Sequence, residues 1–233
     1  IALFYSGLGF IVLSLVLSVI NFSLSFVIPL FVGVVGVVGV FFAIFEKRNV
    51  GTETIVLISI LSSLAAIGRL IFASIPSVQP ASFIIILTGM VFGPHVGFLT
   101  GSICALVSNF ILGQGPWTIW QVFSWGCMGL FSGVFTFALS KSKALRTIYG
   151  LFWGFLFGFV MNLWFLLTGY TLTLNTSTII TAMTLSFYMD LAHGLSNAFL
   201  IFILGDKFIA IFGRIATKYG LSNNIKHNIS FLN

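Results

Sequence analysis

Three ionisable side chains, Arg69, Asp190 and His193, lie within long apolar stretches of the sequence. Asp190 and His193 are three residues apart, so a helix would place them on one face, which Ser186 and Asn197 extend. Ionisable groups are costly in lipid and usually face the interior of a helix bundle or a cavity. Two interpretations have equal weight. Arg69 and Asp190 could form an ion pair that only fixes helix packing, or these residues could bind a ligand.

Catalytic and metal-binding motifs are absent from the sequence. It contains no HExxH, GxSxG or GxxxxGK[ST] motif and only four acidic residues, so hydrolytic chemistry lacks a nucleophile with a base. His193 has only Asp190 near it at a ligand spacing, and Cys104 and Cys127 lie in apolar runs without CxxC or Cys/His spacing. We therefore expect no catalytic residue, no metal site and no enzymatic activity, but a protein that binds or moves a molecule. A solitary channel or proton-coupled carrier that uses Asp190 and His193 is one such protein.

The elements that must position these side chains are membrane-spanning helices. Of the 233 residues, 59% are hydrophobic and 6% are charged, and the mean hydropathy is +1.18, which is typical of an integral membrane protein. The first apolar run lacks a basic region and a cleavage site, so we interpret it as a span and not as a signal peptide. Apolar runs match the roughly 20 residues that a membrane helix needs at about 2–20, 26–45, 54–74, 119–139, 148–168 and 179–204.

Residues 82–112 could form one long helix or two short helices that break at Gly93 and Pro94, because proline removes a backbone hydrogen bond and clashes with the preceding turn. Two helices, at 82–92 and 95–112, place almost all Lys and Arg residues on one side of the membrane, as the positive-inside rule favours. We therefore predict eight helical segments with both termini in the cytoplasm. The formal charge of +6 then reflects topology and not binding to nucleic acid.

The predicted outer loops, at 21–25, 75–81, 113–118 and 169–178, carry no Asp, Glu, Lys or Arg. The third begins the sequence GQGPWTIWQ (113–121), in which two glycines and a proline favour a turn. Tryptophans at this depth form an interfacial belt or line a pocket. The Gly-Gln-Gly-Pro context favours a shaped loop.

Small residues recur at helical spacing in two stripes, which would let helices approach closely in lipid. We favour internal packing for both and keep docking onto another membrane subunit as the alternative. The glycine stripe consists of Gly89, Gly93, Gly97 and Gly101, followed by Ala105 and Asn109, and the serine stripe consists of Ser59, Ser62, Ser63 and Ala66.

Five short motifs between residues 65 and 133 point to a known family. They are GR at 68–69, IPSVQP at 75–80, FGPHVGF at 92–98, SNFILGQGPWT at 108–118 and WQVFSWG at 120–126. In these motifs the chain resembles the substrate-binding S components of energy-coupling factor (ECF) transporters, and most closely the members assigned to cobalamin uptake.

The resemblance implies an all-α integral membrane protein with a six-helix S-component core. We expect this core at 46–204 and a two-helix N-terminal hairpin at 1–45 to which we assign no role. The alternation of apolar and basic residues itself predicts that 205–233 is a basic amphipathic tail on the inner leaflet, or else a continuation of the last span. The resemblance also implies a prokaryotic cell membrane and two kinds of partner, a transmembrane T component and two cytoplasmic ATPases. The ATPases would use ATP and Mg, so the chain would need no cofactor of its own. The serine stripe falls where S components carry an alanine-rich docking motif.

The resemblance further implies that a vitamin is captured near the outer face. The expected substrate is cobalamin or a related corrinoid, because a flat macrocycle fringed with amides suits indole faces and carboxamide side chains. Pantothenate, riboflavin and folate are the alternatives. We expect contact with membrane lipid and none with nucleic acid. The expected substrate-binding residues are Arg69, Gln79, Asn109, Gln114, Trp117, Trp120, Gln121 and Trp125 from the motifs, with Asp190 and His193 from the polar face.

Overall fold

A computed structural model of the chain describes residues 5–10, 12–14, 27–47, 51–166 and 175–221, with backbone alone at 27–31 and 44–47. These residues are almost all helical and include no β-strand, which confirms the all-α fold class. Besides the helical residues 5–10 and 12–14, the helices are α1 (Val27–Lys47), α2 (Thr52–Ile71), α3 (Pro80–Phe92), α4 (Pro94–Leu112), α5 (Thr118–Val134), α6 (Thr136–Lys141), α7 (Lys143–Phe165) and α8 (Thr176–Lys218). Three of them, α2, α4 and α7, are long and apolar enough to cross a membrane.

Parts of the predicted topology lie outside the described residues. They are the loop at 21–25, most of the loop at 169–178, and the tail after residue 221. The first predicted span, 2–20, is described only at its helical residues. The number of spans and the orientation of the termini therefore stay predictions.

The described residues group into two compact units. One contains those of 1–50 and 159–186, and the other contains 51–158 and those of 187–233. Helices α7 and α8 contribute to both units because they are long, with 23 and 43 residues. The segment 159–186, assigned to the core from sequence, thus groups with the N-terminal hairpin. All expected substrate-binding residues belong to the second unit.

The helix break predicted within 82–112 is present. Helix α3 ends at Phe92 and α4 begins at Pro94, where the fixed φ of proline suits the first turn of a helix. Gly93 between them has a φ of 94° and open space around it, so its backbone conformation is what requires glycine. The two short helices form as the sequence predicted, with α3 starting two residues earlier.

The glycine stripe faces α5. A side-chain carbon added at Gly89 or Gly97 would overlap the carbonyl oxygen of Gly129, and one added at Gly101 would overlap the backbone of Trp125. The helix backbones are therefore in contact, an approach that small residues permit. The stripe serves packing within the chain, which is the interpretation that the sequence favoured.

Helix α8 continues past residue 204, where the sequence analysis placed the end of the core. Beyond that point Ile209 and Phe212 are buried, and the ring of Phe212 lies 5.7 Å from the ring of Phe92. Part of the apolar face of this segment packs against the chain itself, and its location on the inner leaflet stays a prediction. The basic side chains Lys207, Arg214 and Lys218 are on its exposed side.

Residues 140–147, expected to form a loop with three cations, are helical apart from Ser142. Arg146 is only 4% exposed, and its guanidinium binds the carboxylate of Asp206 in α8. The ammonium of Lys143 lies 3.6 Å from the other oxygen of Asp206. These cations take part in helix packing because Asp206 is brought next to them by the long helix α8.

Candidate functional site

Arg69 lies in the last turn of α2 and is directed towards α4 and α5. Its Nη1 donates to the Oγ of Ser108 at 2.5 Å and to the Oδ1 of Asn109 at 2.6 Å. Its guanidinium carbon lies 4.9 Å from the ring centre of Trp125, which is a cation–π arrangement. Ser108, Asn109 and Trp125 are all buried. The half-buried cation therefore turns into the protein instead of extending along its surface.

Asn109 connects Arg69 to the start of α5. Its Nδ2 donates to the Oγ1 of Thr118 at 2.9 Å and to the Oε1 of Gln121 at 2.7 Å. The side-chain amide thus uses its oxygen and both of its N–H groups, which fixes its orientation. We call Arg69, Ser108, Asn109, Thr118 and Gln121 the Asn109 cluster.

The sequence GQGPWT is tied to this cluster through Thr118. The hydroxyl of Thr118 donates to the Oε1 of Gln114 at 2.8 Å and accepts from the backbone N–H of Gly115 at 3.3 Å. The Nε2 of Gln114 donates to the carbonyl oxygen of Leu106 at 3.2 Å. Gln114 itself is exposed. The turn therefore has a defined shape, as its glycines and proline predicted, and Gln114 is its exposed polar side chain.

Trp125 links the Asn109 cluster to a second set of polar groups, which we call the His193 network. The indole Nε1 of Trp125 donates to the Oγ of Ser82 at 3.1 Å, and this oxygen lies 2.8 Å from the Nε2 of His193. The ring of Phe157 packs against Trp125 and His193, with ring centres 5.0 Å apart in both pairs. His193 is 3% exposed. Arg69, Trp125, Ser82 and His193 therefore form a continuous chain of contacts.

Asp190 lies one helical turn before His193, and its buried carboxylate is against Gly158, where an added side-chain carbon would overlap it. Among the described residues, ion pairs join Asp206 to Lys143 and Arg146, and none joins Arg69 to Asp190. The ion pair considered from sequence does not form, because Asp190 faces α7 while Arg69 faces α4 and α5.

Three other predicted residues lie beside these networks. The backbone N–H of Gln79 approaches the Oγ of Ser196 at 3.4 Å, and its buried Oε1 has no hydrogen-bond partner among the described residues. Trp120 is buried, and Trp117 is half-buried with its ring against Gly115. The carbonyl oxygen of Trp117 accepts hydrogen bonds from the backbone N–H groups of Trp120 and Gln121, both at 3.1 Å.

Ser82, Ser108 and Thr118 belong to these two networks, and the sequence analysis did not select them. Ser108 donates its own hydroxyl proton to the carbonyl oxygen of Cys104 at 2.7 Å, so it accepts from Arg69. Serine and threonine are common in membrane helices because their hydroxyls can donate to a backbone carbonyl oxygen of the preceding turn. The presence of such a residue alone therefore does not indicate a binding site. The available signal is their spacing, since Ser108 is next to Asn109 and Ser82 is three residues after Gln79.

The serine stripe of α2 divides between two faces. Ser62 and Ala66 are buried, and the hydroxyl of Ser62 approaches the carbonyl oxygen of Thr100 at 3.3 Å. Ser59 and Ser63 are exposed, and Ser59 donates to the carbonyl oxygen of Ile55. Only Ser59 and Ser63 are therefore free to meet another subunit, so the four residues do not form a single docking surface.

The candidate site is rich in polar groups for a set of apolar helices. It contains a guanidinium, several carboxamides, hydroxyls and an indole. In the described ranges, no group of three or more His, Cys, Asp or Glu side chains could hold a metal ion. The contacts within the site are hydrogen bonds, a cation–π contact and aromatic packing.

A family model described as the ECF-type riboflavin transporter, S component, matches residues 49–213 of the chain. This range includes every expected substrate-binding residue. No solved structure matches the chain.

Several curated proteins are similar to parts of the chain. A UPF0397 protein of Aliivibrio fischeri is 35% identical over 92 residues, which cover 37% of this chain and 50% of that protein. The folate transporter FolT of Streptococcus mutans is 30% identical over 102 residues, which cover 42% of this chain and 55% of the transporter. The chain thus spans about half the length of these two relatives. A UPF0397 protein of Clostridium perfringens is 26% identical over 187 residues, 75% of this chain and 96% of that protein.

Proposed function

We propose a vitamin-capturing function for this chain, which belongs to the family described as the ECF-type riboflavin transporter, S component. In this proposal the chain binds a vitamin at the outer face of a prokaryotic cell membrane. Partner subunits supply the energy through ATP hydrolysis, and the bound vitamin is delivered inward.

The observation that carries the proposal is the continuous set of contacts from Arg69 through Trp125 to His193. Polar groups on apolar helices are costly in lipid and usually serve a cavity or a pathway. Here the polar groups come from five helices, since Ser82 is on α3 and His193 is on α8. Such a convergence of a few fixed polar groups with an aromatic ring is typical of small-molecule sites.

Three vitamins have support as the substrate of this chain. The sequence motifs resemble members for cobalamin, the family description names riboflavin, and one relative is a folate transporter. All three vitamins carry conjugated rings and amide-type hydrogen-bonding groups, which suit aromatic and carboxamide side chains such as Trp117 and Gln114. We therefore propose that the vitamin binds at the turn 113–118, where Gln114 is exposed and Trp117 is half-buried, and that the fully buried Trp125 holds Arg69 in position.

We also propose that a transmembrane T component and two ATPases are the partners of this chain. Family membership supports this assembly in general. The exposed residues Ser59 and Ser63 of α2 are the part of the serine stripe that remains for docking. A solitary proton-coupled carrier is the second candidate, because Asp190 and His193 are buried one helical turn apart.

Binding by the purified protein tests the proposed site. Trp125→Phe keeps a ring but removes the N–H that Ser82 accepts and weakens the cation–π contact, so we expect about tenfold weaker vitamin binding. Trp153→Phe is the matched control, since Trp153 is also buried but packs against Phe131 in α5. Titration calorimetry with cobalamin, riboflavin and folate measures both variants. Equal losses of vitamin affinity in the two variants would show that Trp125 has no specific role in vitamin binding.

A further inference from the structure

Arg69 has no acidic partner among the residues that the structure describes. Its hydrogen bonds to Ser108 and Asn109 both start from Nη1. A guanidinium has five N–H groups, and those of Nε and Nη2 make no hydrogen bond to the described part of the chain. The guanidinium is thus held through Nη1, while Nε and Nη2 keep their hydrogen-bonding capacity.

The groups around Arg69 offer dipoles and no negative charge. Ser108 is a neutral hydroxyl, Asn109 is a neutral amide whose N–H groups are already used, and Trp125 contributes a ring face. A charge that is withdrawn from water is costly unless an opposite charge compensates it. The site therefore carries a net positive charge that an anion would neutralise.

The geometry around Arg69 also fixes the direction in which it can bind. Nη1 is held by Ser108 and Asn109, and the guanidinium carbon lies 4.9 Å from the Trp125 ring centre. Nε and Nη2 are neighbouring donors on the other edge of the same plane. Two parallel donors on a guanidinium match the two oxygens of a carboxylate, and also those of a phosphate.

We propose that Arg69 binds an oxyanion of the substrate, so that the captured vitamin is an anion that carries a carboxylate. This inference rests on the proposed function and narrows its substrate. It favours vitamins with a carboxylate, such as folate and pantothenate, over uncharged vitamins such as riboflavin. A phosphate ester presents the same oxyanion chemistry, so the test includes one.

The test compares vitamins that differ only in the oxyanion. Pantothenate is paired with its alcohol pantothenol, and flavin mononucleotide is paired with riboflavin, while folate and cobalamin are measured alone. Binding is measured by calorimetry in an uncharged maltoside detergent, which supplies no competing oxyanion. We expect pantothenate to bind about 10- to 100-fold more tightly than pantothenol, or folate to bind with an affinity that depends on Arg69. Pantothenate identifies a carboxylate site, and flavin mononucleotide alone would identify a phosphate site and overturn the carboxylate assignment.

Variants of Arg69 test whether this side chain is the cause. Arg69→Gln should abolish the preference for the anionic member, and Arg69→Lys should retain part of it because the charge remains. Arg214→Gln is the control, since Arg214 is an exposed arginine of α8 outside the site. If Arg69→Gln does not fold, binding of the vitamin pairs by the wild-type protein and by Arg69→Lys still tests whether Arg69 binds the oxyanion.

Failure of the inference differs from failure of the proposed function. Tight binding of riboflavin or cobalamin that Arg69→Gln leaves unchanged would overturn the anionic site and keep the vitamin-binding function. Absence of binding by every vitamin in the set would contradict the proposed function itself.

Discussion

Replacing Asn109 with alanine tests whether the Asn109 cluster is a fixed structural unit. The substitution removes three hydrogen bonds, to Arg69, Thr118 and Gln121. Thr118 keeps Gln114 as a partner and Arg69 keeps Ser108. Gln121 is buried, and its Oε1 loses the partner that Asn109 provided. We expect both a loss of stability and a disordered Arg69 side chain.

The chain offers a matched control at Asn197. This asparagine is also fully buried, but it makes one hydrogen bond, from Nδ2 to the carbonyl oxygen of Gly150 at 3.2 Å, and its Oδ1 has no partner among the described residues. Alanine leaves a cavity of similar size at both positions, so the cavity contributions to the free energy of unfolding nearly cancel. The difference between the variants then reports the additional hydrogen bonds of Asn109.

The expected difference follows from the strength of side-chain hydrogen bonds within membranes. Such bonds average about 0.6 kcal/mol, with a maximum of about 1.7, and the bond from the charged Arg69 belongs near the upper value. Asn109→Ala should therefore lower the free energy of unfolding by about 1–2 kcal/mol more than Asn197→Ala. Unfolding by dodecyl sulfate in mixed micelles, followed by circular dichroism, measures it. An equal or larger loss for Asn197→Ala would refute the reasoning.

Two further predictions concern helix packing. Gly97→Ala should lower the free energy of unfolding by about 1–3 kcal/mol, because the added carbon meets the backbone of Gly129. Gly9→Ala is the control and should be neutral, because a carbon added there meets no atom within 4 Å. Equal effects of the two variants in the same unfolding assay would contradict the close helix contact. Arg146→Gln should lower the free energy of unfolding by about 1–3 kcal/mol, because it breaks the ion pair of a buried arginine. The loss is limited because the partner Asp206 is 51% exposed. Lys143→Gln should cost less than about 1 kcal/mol because Lys143 is 42% exposed, and a thermal unfolding scan that reverses this order would contradict the burial of Arg146.

Hydrophobic pattern and proline chemistry predicted the local structure well. The break at Gly93 and Pro94 follows from the missing backbone hydrogen bond of proline, and it is present in the fold. The glycine stripe was predicted to pack internally from its spacing alone, and it does. Both features depend on residues close in sequence, which is why the sequence was sufficient.

Several polar residues selected from the sequence also lie close together in the fold. Four residues selected from the sequence motifs are linked by direct contacts. Arg69 contacts Asn109 and Trp125, and Asn109 donates a hydrogen bond to Gln121. Ser82 was missed because a serine near the start of a helix is unremarkable until tertiary structure places it beside His193.

The pairing of charges could not be predicted from sequence. Simple charge matching suggested Asp190 for Arg69, but Asp190 lies against Gly158 and Arg69 has neutral partners. Arg146 resembled a solvated loop cation, and its partner Asp206 is 60 residues later in the chain. Partners of this kind depend on which helix faces meet, and helical periodicity does not specify that.

Uptake of a radiolabelled vitamin into proteoliposomes tests the central claim, that the chain is the substrate-binding subunit of an ATP-driven importer. The chain is reconstituted alone and together with a T component and two ATPases, with ATP supplied on the side of the ATPases. The vitamin is the one that the binding measurements identify. The account predicts uptake only when the partners and ATP are both present. Uptake by the chain alone, driven by a proton gradient, would contradict it and support a solitary carrier that uses Asp190 and His193.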